Sequence, residues 1–297
     1  MKERTPSTTA ISSALHRASH LVLDGDPKIF HDDFALALSG CADEVELGAM
    51  LRQRYEPIQQ KLGRDFTEFF FGTVRSALTV RSRFTEEALE ETLQRGIDQY
   101  VLLGAGLDSF ALRRRDLAHL LHVYEIDHPA TQQWKRTRIS ELGIPLPGNL
   151  TFVPVDFEQQ TITQGLRSST YRADAPAFFS WLGVIPYLTK DTVRKTLKEV
   201  AAMAAGSEIV LQYSVPEELL DTRHRQYLAQ LCSLTAQQGE PWLSNHTPDE
   251  LADQLKELGF DRIEHLGPEE AYARYFAGRT DSLPCQPIHR LIRARTK

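Results

Sequence analysis

With 297 residues, 41% of them hydrophobic and 25% charged, the chain has the composition of an ordinary soluble globular protein and the length for one large α/β domain or two small ones. Its formal net charge is −6, and Lys and Arg are scattered rather than gathered into a stripe, which argues against a nucleic-acid partner. The three cysteines, Cys41, Cys232 and Cys285, match neither a CxxC nor a zinc spacing, so a reducing compartment is expected and no metal site.

Helical patterns come first along the chain. Apolar residues recur at helical spacing over Ser7 to Leu23, Glu44 to Leu62 and Asp65 to Gln94, with almost no strand signal. Ile11 to Leu23 is interrupted by Ser12, Ser13, His16, Arg17 and His20, so it reads as neither signal peptide nor membrane span; a cytoplasmic location with no membrane partner follows by default. From Gln99 onward strands and helices alternate, which implies right-handed crossovers and a parallel sheet with helices on both faces.

The expected strands are Tyr100 to Leu103, Leu121 to Ile126, Leu150 to Val155, Ala177 to Leu182 and Glu208 to Tyr213. Helices are expected over Pro129 to Leu142, Asp191 to Ala205 and Glu217 to about Gln238. Thr247-Pro248-Asp249-Glu250 is a capping box with proline at the first helical position, opening a helix that ends at Gly259. Arg262 to Leu266 and Ile288 to Arg293 close the sheet. No repeat, low-complexity tract or Pro/Gly/Ser-rich linker divides the chain. It therefore reads as a single domain over 1–297, with an N-terminal helical cap at 1–96, an α/β core at 97–297 and a helical insertion around 216–245. Arg113-Arg114-Arg115, the densest basic run, reads as a solvated face.

Chemistry concentrates between Gln99 and Asp127. In QYVLLGAGLDSF a short apolar run meets a turn where Gly104 and Gly106 allow a sharp reversal and leave no Cβ between main chain and ligand. A plain strand-to-helix turn would share that pattern. About twenty residues on, by the period of two, Glu125 and Asp127 fall on one face near the carboxyl end of the next strand, where open α/β sheets bind ligands and an acid can accept from both hydroxyls of a ribose.

In their order and spacing, QYVLLGAGLDSFALR, VYEIDHPATQQWKRTRI, VPVDFEQQ and FFSWLGVIPYLTKDTV resemble the leucine carboxyl methyltransferase superfamily, in its bacterial branch of small-molecule and polyketide O-methyltransferases. The resemblance covers nearly the whole chain. It implies a class I methyltransferase fold, α/β with a Rossmann-like, doubly wound seven-stranded sheet under the helical cap, and S-adenosyl-L-methionine as cofactor. Arg81 in VRSRF matches the family arginine that pairs with the methionine carboxylate, a fit for a planar guanidinium fork, with Arg83 as fallback. Arg17 in LHRAS stands roughly where the family places a second basic residue on that carboxylate, or is a surface arginine. Asp127 matches the ribose acid, with Glu125 supporting the turn. Asp156 and Phe157 match the acid and apolar residue that hold the adenine, although Asp156 also reads as a helix N-cap. Gly104, Ala105, Gly106, His128 and Ser180 complete the candidate cofactor contacts.

One position departs from the family. Leu182 stands where many members carry the glutamate of E-G-L-x-x-Y-L, leaving a more apolar wall suited to a hydrophobic or aromatic acceptor. The expected partner is thus a small-molecule acceptor, a carboxylate or the phenol or enol of a secondary metabolite, and the protein a monomer or homodimer. Tyr187, Tyr213 and His224 are the candidate acceptor-positioning residues, with Arg223 and Trp242 on the far side of the pocket. Tyr187 also reads as a core tyrosine and His224 as a surface histidine. A carboxylate acceptor needs no general base at neutral pH, whereas a phenol or alcohol does. Two other readings stay open: a nicotinamide oxidoreductase, whose third glycine is Ser109 here, and a noncatalytic cofactor-binding module.

Overall fold

The computed structural model describes residues 7–157 and 159–297; residues 1–6 of the expected cap and Glu158 of VPVDFEQQ lie outside them. Four helices precede the first strand: α1 (Thr8–Leu23), α2 (Ala35–Ser39), α3 (Glu44–Leu62) and α4 (Arg64–Leu93). Ser7 and Asp43 cap α1 and α3, their side-chain oxygens accepting from the N–H groups of Ala10 and Glu46. The alternating part follows as β1 (Gln99–Leu103), α5 (Phe110–Arg113), β2 (His122–Asp127), α6 (Pro129–Glu141), β3 (Leu150–Pro154), α7 (Ile162–Leu166) and β4 (Phe178–Trp181). It continues through α8 (Lys190–Ala201), β5 (Glu208–Ser214), α9 (Thr222–Gln237), α10 (Pro248–Glu257), β6 (Phe260–Leu266), α11 (Pro268–Ala271) and β7 (His289–Thr296). Where one helix is expected from Glu217, a 3-10 turn over Glu217–Leu219 precedes α9, because the Asp221 carboxylate caps the helix at the His224 N–H.

The sheet has seven strands in the order β3-β2-β1-β4-β5-β7-β6, and β7 runs antiparallel to both of its neighbours. From β1 the chain winds outward through β2 and β3, then crosses back to pair β4 on the other side of β1. Strand order therefore reverses beside β1, and the crevice this opens at the carboxyl ends of β1 and β4 is where such sheets take ligands. Alternate residues feed the two faces: Val101, Leu103, Ile126 and Phe179 enter one apolar cluster, Tyr100, Leu102, Val123 and Phe178 the other. Val80, Phe84 and Leu89 of α4 pack into the second cluster, so the N-terminal helices share the core of the sheet.

Arg113 corrects the reading of its basic run as a solvated face. Its guanidinium is buried over the Phe30 ring, pairs with Glu86 of α4 and lies 3.6 Å from Asp32. Two carboxylates from the cap offset its desolvation, fastening α5 to that cap. No helix among the described residues is long and apolar enough to cross a membrane.

Candidate active site

The turn after β1 is built from strained-looking but glycine-compatible backbone: φ is +72° at Gly104 and +53° at Gly106. The N–H groups of Gly104 and Ala105 both donate to the Ile126 carbonyl, at 2.9 and 3.0 Å, which folds the turn onto the end of β2. A Cβ at Gly104 would collide with Val184. At the same corner the Asp127 carboxylate accepts from the Gly106 N–H and, at 2.6 Å, from the His128 N–H. Burial pushes this carboxyl above its ordinary range, and the two N–H donors oppose the shift. Behind it, the buried Glu125 carboxylate meets the Lys135 ammonium of α6 at 2.6 Å, and the same ammonium donates to the Asp108 carbonyl at 2.6 Å. Burial lifts Glu125 and the lysine holds it down, so the pair braces the loop from below.

Over this corner lies a cavity of about 690 Å³. Arg17, Arg81, Gly104, Ala105, Gly106, Asp127, His128, Asp156, Phe157 and Ser180, named from the sequence as cofactor contacts, all line it, whereas Arg83, the fallback for Arg81, is exposed on α4 and pairs with Glu87. Leu182 lines it too. Arg17 is oriented by Asp32, at 2.7 Å, and donates to the Leu107 carbonyl at 2.6 Å, which gives it a role in holding the loop. Ser180 is bonded to the Tyr100 hydroxyl at 2.9 Å, and Gln159 donates to Asp156 at 2.8 Å. The roof is closed where Ser7 and Thr9, at the start of α1, donate to the Glu240 carboxylate beyond α9, the Ser7 bond at 2.8 Å.

A second, smaller cavity of about 150 Å³ adjoins the first, and Thr9, Ser13, Arg81, Gly183 and Tyr187 line both. Helical periodicity explains the division: Thr9, Ser13 and Arg17 follow one another at four-residue steps toward the larger cavity, while Ser12 and His16 line only the smaller. Leu231, Leu234, Thr235 and Gln238 of α9 and its end form the opposite wall. Arg81 stands at the shared wall. Its Nη1 donates to Gln212 at 2.9 Å, and among the described residues no carboxylate pairs with it. Burial pushes its guanidinium down to about 10, which leaves it charged at neutral pH. Gly183, with φ +72°, is required beside it, since a Cβ there would run into the guanidinium.

Of the candidate acceptor residues, Tyr187 lines both cavities and Trp242 lines the smaller, their rings edge-to-face at 6.3 Å. Tyr213 and His224 line neither. Tyr213 is fully buried on the opposite face of β5 from Gln212, in the core. His224 is held by Asp221 at 2.7 Å and stacks edgewise on Phe69, while Arg223 lies over that same ring from outside. His16, Arg54, Tyr55 and His289 are among the lining residues of the smaller cavity that had no sequence signature. His16 is buried with Nδ1 at 2.5 Å from the Ser12 carbonyl and Nε2 on the Tyr55 hydroxyl, and desolvation drives it down to about 3. Desolvation, aided by Arg81, does the same to His289, whose Nδ1 lies 3.3 Å from the Ser214 hydroxyl. Both imidazoles are neutral at pH 7.

Comparison with known proteins agrees with this geometry. A family model described as leucine carboxyl methyltransferase matches residues 10–201. YktD of Bacillus subtilis (strain 168), named a "putative S-adenosyl-L-methionine-dependent methyltransferase", is 31% identical over 301 residues, covering 97% of this chain and 98% of that one. A Mycobacterium marinum protein of the same description is 29% identical over 233 residues, 77% of this chain and 74% of its own. Among solved structures, a "putative methyltransferase" from Thermobifida fusca YX shares the fold at a TM-score of 0.58 and 18% identity, covering 88% of this chain and 92% of the other. A DUF574 family protein from Streptomyces avermitilis does so at 0.59 and 13%, covering 81% and 91%. The chain belongs to the leucine carboxyl methyltransferase family and, with it, to the S-adenosyl-L-methionine-dependent methyltransferases.

Proposed function

We propose that the larger chamber receives S-adenosyl-L-methionine, that the smaller receives the methyl acceptor, and that the reaction is O-methylation of a small, single-ring carboxylate, phenol or enol of the secondary-metabolite kind. The observation that carries this reading is the shared wall: Arg81, Gly183 and Tyr187 border both chambers. The residues fit the cofactor. Bare main chain at Gly104–Gly106 and the Asp127 carboxylate suit a ribose, Asp156 and Phe157 a base, and the guanidinium of Arg81, lacking a carboxylate, a methionine carboxylate. When bound, the cofactor supplies a methyl on a sulfonium, and the acceptor oxygen's lone pair forms the new O–CH3 bond as the S–CH3 pair returns to sulfur.

The protein's own contribution is alignment and dryness. Holding two reactants on either side of one wall substitutes for their chance encounter, an effect worth up to about 7–11 kcal/mol at ideal alignment. Phe70, Leu231, Leu234 and Trp242 give the smaller chamber an apolar wall that limits water around a bound acceptor. Tyr187, beside Arg81, orients the reacting oxygen. For a hydroxyl acceptor, Nε2 of His289 makes no hydrogen bond among the described residues while both ring nitrogens of His16 are engaged, so His289 accepts the hydrogen bond that orients the hydroxyl; burial beside Arg81 leaves it too weak a base to keep the proton, which is released to water as the methyl is delivered. Incubating the protein with methyl-labelled S-adenosyl-L-methionine and a panel of aromatic acids and phenols tests the reading. Label in an acceptor oxygen supports it; label only on nitrogen or carbon overturns the O-methyl assignment.

A further inference from the structure

The two chambers differ in charge. Asp108, Asp127, Asp156 and Glu240 line the larger one against two arginines, which suits a sulfonium-bearing molecule. No aspartate or glutamate lines the smaller one, yet two arginines do, Arg81 at the shared wall and Arg54 away from it. Arg54 is half-buried in the middle of α3, and among the described residues no carboxylate pairs with it. Next to it, the Tyr55 hydroxyl donates to Nε2 of His16, whose Nδ1–H is spent on the Ser12 carbonyl. With its proton committed, the Tyr55 oxygen keeps its lone pairs for the guanidinium, and both His16 and Tyr55 feel the charge of Arg54. The Arg54 guanidinium thus meets only neutral acceptors of the protein at this chamber, and an anion there would give it a charged partner.

We propose that Arg54 binds a carboxylate that the acceptor keeps, so that the substrate class is a single-ring acid bearing a second oxygen nucleophile, and the methyl is delivered to that second oxygen at the Arg81–Tyr187 wall. This rests on the assignment of the two chambers given above. Once the cofactor carboxylate takes Arg81, Arg54 is the cation left for the acceptor, and it does not line the chamber from which the methyl comes. A chamber of about 150 Å³ is of the size that takes a single ring, and its opening onto the larger chamber leaves room for substituents. In the transfer the S–CH3 bond breaks as the O–CH3 bond forms, and the hydroxyl proton is released to water, leaving the carboxylate unesterified.

Calorimetric titration of the full-length protein loaded with S-adenosylhomocysteine tests this, using hydroxybenzoates and the matching neutral hydroxybenzamides as probes. The wild type is expected to bind the acid about 10- to 100-fold more tightly than its amide, the range for a hydrogen bond to a charged group. Arg54→Met abolishes that preference, Arg54→Lys retains part of it, and neither changes affinity for S-adenosylhomocysteine. Equal binding of acid and amide by the wild type, a preference that survives in Arg54→Met, failure of every acid to bind at millimolar concentration, or a methyl ester as product would overturn the proposal. Failure of S-adenosylhomocysteine itself to bind would instead overturn the chamber assignment on which it rests.

Discussion

Replacing Asp127 by alanine tests the ribose contact proposed for it. One oxygen of this carboxylate accepts from the Gly106 N–H and the other from the His128 N–H, the latter at 2.6 Å. Each oxygen has about two acceptor sites, so each retains one for a ribose hydroxyl. A hydrogen bond to a charged group contributes about 1.5–3 kcal/mol, and two made by the same carboxylate add incompletely, so a loss of about 3 kcal/mol in cofactor binding is expected, or about 150-fold in Kd. The fold loses two N–H partners, but it also sheds a carboxylate whose charged form burial already disfavours, so the stability cost is expected to be smaller than the binding cost. Calorimetry with S-adenosylhomocysteine, on protein whose melting temperature is measured alongside, separates the two effects, and Asp127→Asn should fall between the extremes. A Kd for Asp127→Ala within twofold of the wild type would refute the ribose assignment.

Other perturbations probe the remaining parts of the site. Gly183→Ala drives a methyl into the Arg81 guanidinium and forces φ +72° on a side-chain-bearing residue; binding of S-adenosylhomocysteine is expected to weaken at least about tenfold, with the rest of the fold retained by circular dichroism. His289→Leu should weaken binding of a phenolic acceptor by up to about tenfold, the range for one neutral hydrogen bond, while Kd for the cofactor stays put; unchanged acceptor affinity removes His289 from the site. Acid should destabilise the fold. His16 and His289 are depressed to about 3 from 6.5, so the unfolded chain binds more protons between those values. Their stabilisation is complete above about pH 6.5 and is lost as pH falls toward 3, at about 1.4 kcal/mol per pH unit for each imidazole. His16 faces Tyr55, Arg54 and Arg75, and His289 faces Arg81, so no carboxylate opposes the effect; His16→Gln should flatten the urea-unfolding free energy measured between pH 6.5 and 4.5. EDTA is expected to leave turnover unchanged, since among the described residues no three of His, Cys, Asp and Glu converge as ligands; activity restored only by added divalent metal would contradict this.

Sequence patterns read the sheet well because each strand announces itself locally. The apolar runs around Tyr100, Val123, Phe152, Phe179 and Ile209 are all strands, with ends displaced by a residue or two; β2, for instance, extends through Asp127. Helices α2, α5, α7 and α11 were not legible, because four or five residues are too few to display a period. The cofactor side of the site is equally local: the glycine turn and Asp127 lie on consecutive strands of one crossover. The acceptor side is not. His16, Arg54 and His289 come from α1, α3 and β7, and only tertiary packing brings them to one chamber. Tyr213 illustrates the limit of reasoning from strand ends, since one step along β5 separates Gln212, which reaches Arg81, from a side chain on the opposite face. Arg113 illustrates another: its partners Glu86 and Asp32 are remote in sequence, so nothing nearby marks it as buried.

The position of Arg81 between two compartments sets a loading sequence. If the acceptor is the acid proposed above, then before the donor arrives it finds two cations and can settle on the wrong one, with its carboxylate where the donor's belongs. Donor first, acceptor second is then the productive path, and a large excess of acceptor slows turnover by occupying the fork from the other side.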